Sequence, residues 1–160
     1  MKSAIKHRIT GVLFAAMLLS GACTTVDVFE KNISIPGQRW EYSFKPTISF
    51  NVSDTVSSYN IYVVLRHTNY YQYTNIWLNI AYQMPNDSLR NQKINIQLAS
   101  NDKGWFGKGM DDIFEMRKLI TPQPYTFRGK GKCTFTISQI MRDNPLLHIM
   151  NAGIRVEKVH

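Results

Sequence analysis

Cys23 is the residue whose setting most plainly calls for chemistry. It follows Leu18-Leu19-Ser20-Gly21-Ala22, an apolar run that ends in small residues. That is the arrangement of a bacterial lipobox, in which the cysteine thiol takes a diacylglycerol and the residue becomes the new N-terminus. Ser20 stands where a leucine is more usual, three positions before the cysteine. The alternative is ordinary cleavage after Ser20-Gly21-Ala22, an A-x-A-like site that releases a soluble protein with a free Cys23. Each buried acyl methylene contributes about 0.8 kcal/mol and one chain holds only weakly, so the two or three chains of a lipoprotein are what would fix it to a bilayer.

The remaining reactive groups form no catalytic set. There is no G-x-S-x-G, and the serines fall in turns or strands without a neighbouring histidine. His67, His148 and His160 lack metal-ligand spacing and read as structural or solvent-facing. Cys133 alternates in phase with Phe135 and Ile137 and reads as a small buried hydrophobe rather than a reactive thiol. Residues 101–112 hold Gly104, Gly107 and Gly109, Trp105, and Asp102, Asp111 and Asp112. Their spacing matches neither an EF-hand nor a phosphate-binding loop, so a long strand connection pinned by Trp105 or Phe106 is the expectation. Tyr70, Tyr71 and Tyr73 cluster where two strands should join. Together with Trp105 they are the candidate contact residues for a partner protein or a glycan, because tyrosine combines flat apolar area with a polar end. An open groove lined by these rings would favour sugar; burial of the rings would leave a scaffold. No catalytic residue, metal site or cofactor is expected.

The elements around these residues fit an exported protein. Lys2, Lys6 and Arg8 precede an apolar stretch over residues 9–19, and no acidic residue occurs before Asp27. Charge, apolar core and small residues, in that order, make residues 1–22 a secretory signal, too short in its apolar run to span a membrane. Residues 23–31 read as a lipidated tether and residues 32–160 as one domain. The whole chain carries 19 basic and 11 acidic residues; three of the basic ones lie in the leader, leaving 16 − 11 = +5 for the rest. That mild, dispersed charge lacks the density of a nucleic-acid footprint. A few of these positives could help the domain lie near an anionic lipid surface, although solvated surface is the plainer reading.

Beyond residue 31 the apolar residues recur with period two. Trp40, Tyr42 and Phe44 alternate, as do Ile48, Phe50 and Val52, then Tyr59, Ile61, Val63 and Leu65. Ile76, Leu78, Ile80 and Tyr82 share a face, followed by Ile94, Ile96 and Leu98, by 125–127, by 133–137 and by 153–157. Turn residues punctuate them at 35–37, 84–88 and 128–131. Residues 110–118 read as a helical turn or irregular strand, and residues 138–143 as one short helix stopping before Pro145. About eight short strands without a βαβ rhythm predict an all-β fold, an antiparallel, jelly-roll-like β-sandwich, with a closed barrel as the alternative.

Several of these segments carry a family likeness. Asp27-Val-Phe-Glu-Lys31, Leu65-Arg-His-Thr68, Asp102-Lys-Gly-Trp105, Gly109-Met-Asp-Asp-Ile-Phe114, Thr121-Pro-Gln-Pro124 and 135–142 together resemble the gliding-motility lipoprotein GldH family of Bacteroidetes. The resemblance spans nearly all of the chain after the leader. It implies a non-catalytic cell-envelope lipoprotein that supports gliding or an associated secretion assembly through protein contacts, and it supplies no catalytic residues. A glycan-binding lipoprotein is the competing function, suggested by Trp40, Trp77, Trp105 and the tyrosine cluster. Asp54-Thr55-Val56 and Asp87-Ser88-Leu89 also resemble the Asp-Ser/Thr-apolar pattern of Bacteroidetes O-glycosylation, making Thr55 and Ser88 candidate acceptors. Thr24 after the cysteine, and the lack of an acidic run, favour the outer membrane and its periplasmic face.

Overall fold

Alternation leaves a strand with one apolar face that only a second layer can cover, and here two sheets cover each other. The computed structural model describes residues 28–160. In chain order its strands are β1 (Val28–Ser34), β2 (Arg39–Trp40), β3 (Thr47–Val52), β4 (Ser58–Thr68), β5 (Asn75–Gln83), β6 (Arg90–Gln97) and β7 (Ala99–Ser100). Then come β8 (Gly104–Trp105), β9 (Lys108–Met110), β10 (Ile113–Leu119), β11 (Tyr125–Thr126), β12 (Gly131–Gln139), β13 (Leu146–Leu147) and β14 (Ile149–Lys158). One sheet runs β1-β14-β4-β10-β9, with β11 also pairing β4; the other runs β3-β12-β5-β6. Every pairing is antiparallel, neither sheet closes on itself, and the fold is an all-β sandwich rather than a barrel.

The core lies between the sheets. Ile61, Val63 and Leu65 of β4 and Ile154 and Val156 of β14 face Ile76, Leu78 and Ile80 of β5 and Cys133, Phe135 and Ile137 of β12. Phe50 ties the two layers, with Phe29 at 4.5 Å between ring centres and Phe135 at 6.2 Å. Deleting one such ring leaves a cavity as well as losing transfer energy, about 3–5 kcal/mol in all. On the water side of the second sheet, hydroxyls and amides pair across strands: Thr47 with Thr136 at 3.0 Å, Ser49 with Thr134 at 2.9 Å, and Asn79 with Asn91 at 3.1 Å.

The register gives the sandwich two distinct ends. Val28 and the connections 53–57, 84–89 and 127–131 lie at the end where β14 finishes. Connections 69–74, 98–107 and 140–148, with the β2–β13 and β7–β8 pairs, lie at the other. We call these the tether end and the far end.

Three segments differ from the expectation set by periodicity. Residues 40–44 are not a strand beyond Trp40: the Phe44 N–H turns back to the Glu41 carbonyl, and Trp40 Nε1 donates to the Phe44 carbonyl at 2.8 Å. Residues 138–143 form no helix. Ser138 and Gln139 end β12, and the Gln139 amide then shapes the turn, accepting from Met141 N at 2.8 Å and donating to the Asp143 carbonyl at 2.9 Å. A side chain that satisfies the backbone in this way competes with helix formation. Residues 110–118 resolve into a tight hairpin between β9 and β10, with Asp111 at φ 54°. Val28–Lys31, at the end of the expected tether, are already the first half of β1. Described helix is confined to one 3₁₀ turn at Pro36–Gln38.

Gly153 shows how tightly β1 is laid against β14. A Cβ there would meet the Lys31 carbonyl oxygen at 2.5 Å and the Asn32 side chain, both held by the opposing strand. Gly153→Ala is therefore expected to lower stability by about 1–3 kcal/mol, as overpacking against an immovable neighbour does. A chemical denaturation curve checks this; an unchanged midpoint would show that β1 can retreat.

Candidate functional site

His67 ends the apolar face of β4, so its side chain points inward at the far end and is fully buried. Three rings enclose it: Trp105 at 4.7 Å, Tyr71 at 5.6 Å and Phe114 at 5.7 Å between centres. Nδ1 lies 2.9 Å from the Thr68 carbonyl and so carries the proton, while Nε2 is buried without a hydrogen-bond partner. Burial holds the imidazole below its ordinary pKa, against the opposing pull of the Thr68 carbonyl. The histidine is a neutral structural plug.

This arrangement divides the expected aromatic cluster. Tyr71 is buried, donates its hydroxyl to the Asn75 carbonyl at 3.1 Å, and packs on the His67 ring, leaving only an edge to the hollow it shares with Tyr73 and Asp143. Trp105, half-buried in β8, packs against the same histidine. Tyr73 is half-buried and donates to Asp143 at 2.6 Å. Tyr70 alone projects, 68% exposed, with His148 at 5.9 Å. The four rings do not line one groove. Residues 101–112 are a connection, as expected, built from the β7–β8 hairpin and the start of the β9–β10 hairpin. Gly107 sits in it at φ 91°, where a Cβ would run into the Glu115 carbonyl.

The arrangement best suited to a partner lies instead on the outer face of the second sheet near the far end. Trp77 is out of phase with Ile76 and Leu78, so the pleat turns it toward water, where it is 43% exposed. Ile140, at the end of β12, is similarly exposed, and its N–H donates to the Trp77 carbonyl at 3.0 Å. Tyr42 reaches the same region, its hydroxyl donating to the Met141 carbonyl at 2.7 Å. Shallow hollows of about 470 and 610 Å³ flank this ridge, bounded by Tyr73, Arg142 and Asp143 on one side and by Lys45 and Lys93 on the other. From sequence, Trp77 is one of three tryptophans that suggest glycan binding, and Tyr42 and Ile140 carry no contact role; the signal for this face is a tryptophan on the polar phase of an alternating strand.

The ionisable side chains in the hollow on the Tyr73 side are Arg142 and the Tyr73–Asp143 pair, hydrogen-bonded at 2.6 Å. A mainly apolar hollow of about 300 Å³ opens between Tyr82, Met84, Ile120 and Tyr125; its one amide, Gln92, already donates to the Ile120 carbonyl at 3.2 Å. Among the described residues no three His, Cys, Asp or Glu side chains converge as metal ligands. Cys133 is buried beside Met84, sulfur to sulfur 3.3 Å, and burial pushes its thiol up to about 12. Ionised side chains concentrate on the outer face of the first sheet. Arg66, Glu115, Arg117, Glu30, Arg155 and Glu157 form a continuous ladder across β4, β10, β1 and β14. Burial works against the Glu30 carboxylate, yet its bonds from Arg155 and Asn32 and the Arg117 charge hold it below the usual range.

Cys23 lies outside the described residues. Thr55 and Ser88 occupy turns at the tether end, Thr55 half-buried and Ser88 exposed. Each follows an aspartate that caps its turn: Asp54 accepts from Val56 N at 2.8 Å, and Asp87 from Ser88 N at 2.8 Å. Among the described residues no helix is long and apolar enough to cross a membrane.

A small all-β sandwich whose first strand leads directly back to a lipobox-like cysteine has the build of a membrane-anchored lipoprotein domain. The model of the GldH lipoprotein family matches residues 27–156, and the chain belongs to that family. It is 30% identical over 156 residues to the gliding motility lipoprotein GldH of Flavobacterium johnsoniae, covering 93% of this chain and 96% of that one. It is 23% identical over 154 residues to a GldH homolog of Christiangramia forsetii, covering 92% and 93% of the two chains. Among solved structures, the VP2 subviral particle of infectious bursal disease virus aligns with a TM-score of 0.36 at 14% identity, over 83% of this chain and 32% of that one. That likeness is too slight to bear on function.

The His67 plug has a consequence for pH. Its folded pKa lies below the ordinary 6.5, so the unfolded chain binds the proton more readily. The stabilisation is therefore fully present above about pH 6.5 and is lost as pH falls toward the folded value. His67→Phe, which keeps a ring in the aromatic cage, is expected to flatten the fall in melting temperature between about pH 7 and 5. Thermal melts of both proteins across that range check it; parallel curves would remove His67 as the cause.

Proposed function

We propose that this protein is a non-catalytic lipoprotein of the outer membrane, anchored through Cys23 and facing the periplasm, that supports gliding motility or an associated secretion assembly by binding another envelope protein. The observation that carries the reading is the exposed Trp77–Ile140–Tyr42 ridge beside Arg142, with a shallow hollow on either side. Tryptophan, tyrosine and arginine are the residues that most often dominate protein interfaces, because they bury large area at little cost in conformational freedom. The gliding context is supported by the naming of the two GldH relatives. Tyr70, at the far-end tip, extends the available surface; Tyr73 and Trp105 add only their exposed edges. A sugar-binding groove draws less support, since the rings that would have built it pack on His67 instead.

Crosslinking in intact cells, followed by identification of the partner, tests the assembly role. Trp77→Ala is expected to weaken capture by about 30-fold or more, the equivalent of a 2 kcal/mol hot spot. The fold should be retained, because an exposed substitution changes stability by about 0.5 kcal/mol or less. Capture of the partner at full yield by the variant would remove the ridge from the interface, and recovery of the protein alone from wild-type cells would end the assembly role. For the anchor, Cys23→Ala is expected to move the protein from the membrane to the soluble fraction. Unchanged partitioning on cell fractionation would refute lipidation at that residue.

A further inference from the structure

The tether end has a composition that none of its core-forming duties explains. Val56 is 88% exposed at the tip of one connection, and Leu89 is 63% exposed at the tip of another. Neither belongs to the core cluster. Both stand at the end of the sandwich from which β1 leads back toward Cys23.

The connections at this end form one rim. Gly129 lies so close to the Asn86 side chain that a Cβ would collide with it, and Gly131 approaches Pro85. Val159 N donates to the Ser58 carbonyl at 2.9 Å, which binds the C-terminus to the start of β4. Turn geometry stiffens the tips: the Asp54 carboxylate takes hydrogen bonds from Ser57, Val56 and Tyr59, which hold it well below the usual carboxylate range. Val56 is therefore presented by a braced turn.

Charge on the rim is predominantly positive. Arg128, Lys130, Lys132 and Lys158 belong to no ion pair among the described residues. Of the acids nearby, Asp87 pairs with Arg90 at 3.3 Å and Glu157 with Arg155 at 3.2 Å, while the Asp54 carboxylate is taken up by the donors of its own turn. At the far end, by contrast, exposed Asp102, Asp111, Asp112 and Asp143 interleave with Lys103, Lys108 and Arg142.

We infer that the tether end is a second, non-covalent membrane contact, which seats Val56 and Leu89 in the interface of an anionic bilayer while the surrounding lysines and arginines meet lipid phosphates. This rests on anchoring at Cys23, five residues before Val28. A chain segment of that length spans at most about 18 Å, so an acylated Cys23 keeps this rim beside the bilayer. Exposed apolar tips within a basic rim are what such a surface rewards, apolar area entering the headgroup boundary and cations meeting its negative potential. The seating would hold the sandwich upright, with Trp77 and Tyr70 directed away from the bilayer.

The test uses the acylated protein in vesicles of phosphatidylethanolamine and phosphatidylglycerol. Val56→Cys, Leu89→Cys and Gln72→Cys variants each receive an environment-sensitive fluorophore; Cys133 is buried and Cys23 is blocked by lipid. The expected result is blue-shifted emission, quenched by bilayer-resident quenchers, at positions 56 and 89 but not at 72. Both signals should be lost in the Lys130→Glu/Lys132→Glu background and in pure phosphatidylcholine. Wet probes at 56 and 89 on protein that stays with the vesicles would overturn the inference and leave the anchor standing. Protein that fails to stay with the vesicles would overturn both. Glycan on Thr55 or Ser88 of the native protein would also overturn it, because a sugar beside either tip bars it from the bilayer.

Discussion

The mutual burial of two sheet faces is the constraint on which everything else in this protein depends. Neither β1-β14-β4-β10-β9 nor β3-β12-β5-β6 could stand alone with its aliphatic face in water. At about 25 cal/mol for each Å² of apolar area withdrawn, the interleaved residues of β4, β14, β5 and β12 supply most of the drive to fold. Because the faces largely alternate, a one-residue slip in β5 or β12 would turn its core set outward, so burial also fixes register. Register in turn fixes which connections meet at each end.

From that polarity the functional regions follow. The core is aliphatic and aromatic through its middle, and at the far end it is closed by His67 within its ring cage. Closing the sandwich there uses Tyr71 and Trp105 as packing, while Trp77 on the outer face of the second sheet stays 43% exposed. The opposite end carries the N-terminal strand and thus the route to the anchor. The exposed face around Trp77 and the start of β1 are set toward opposite ends by topology rather than by any local feature.

The Arg–Glu ladder across the first sheet plays a different part. Its charges are partly exposed, so each pair contributes little, on the order of 0–1 kcal/mol. Opposite charges facing each other on neighbouring strands nevertheless penalise wrong registers, where like charges would meet. The hydroxyl and amide ladders on the second sheet do the same without charge.

Much of this was legible in the residues alone. Period-two spacing identified the strands and their inward faces, because side-chain direction in a strand depends only on parity. The in-phase position of Cys133 foretold its burial. The expectation of export and of a lipobox rests on local order of charge, apolar run and small residues, which needs no fold to read. The family was recognisable from contiguous tracts. What tertiary structure decided was everything that depends on distant partners. Residues 138–143 look helical in isolation, but the Gln139 amide bends them into a turn beneath Trp40. Tyr71 looked like a binding residue until His67, brought beside it by the turn after β4, claimed its face. Val56 and Leu89 acquire meaning only when the pairing of the strands sets them on one rim with unpaired cations. Parity and composition are properties of a few neighbouring residues; whether a side chain ends in the core or on an exposed face depends on which remote strands arrive alongside.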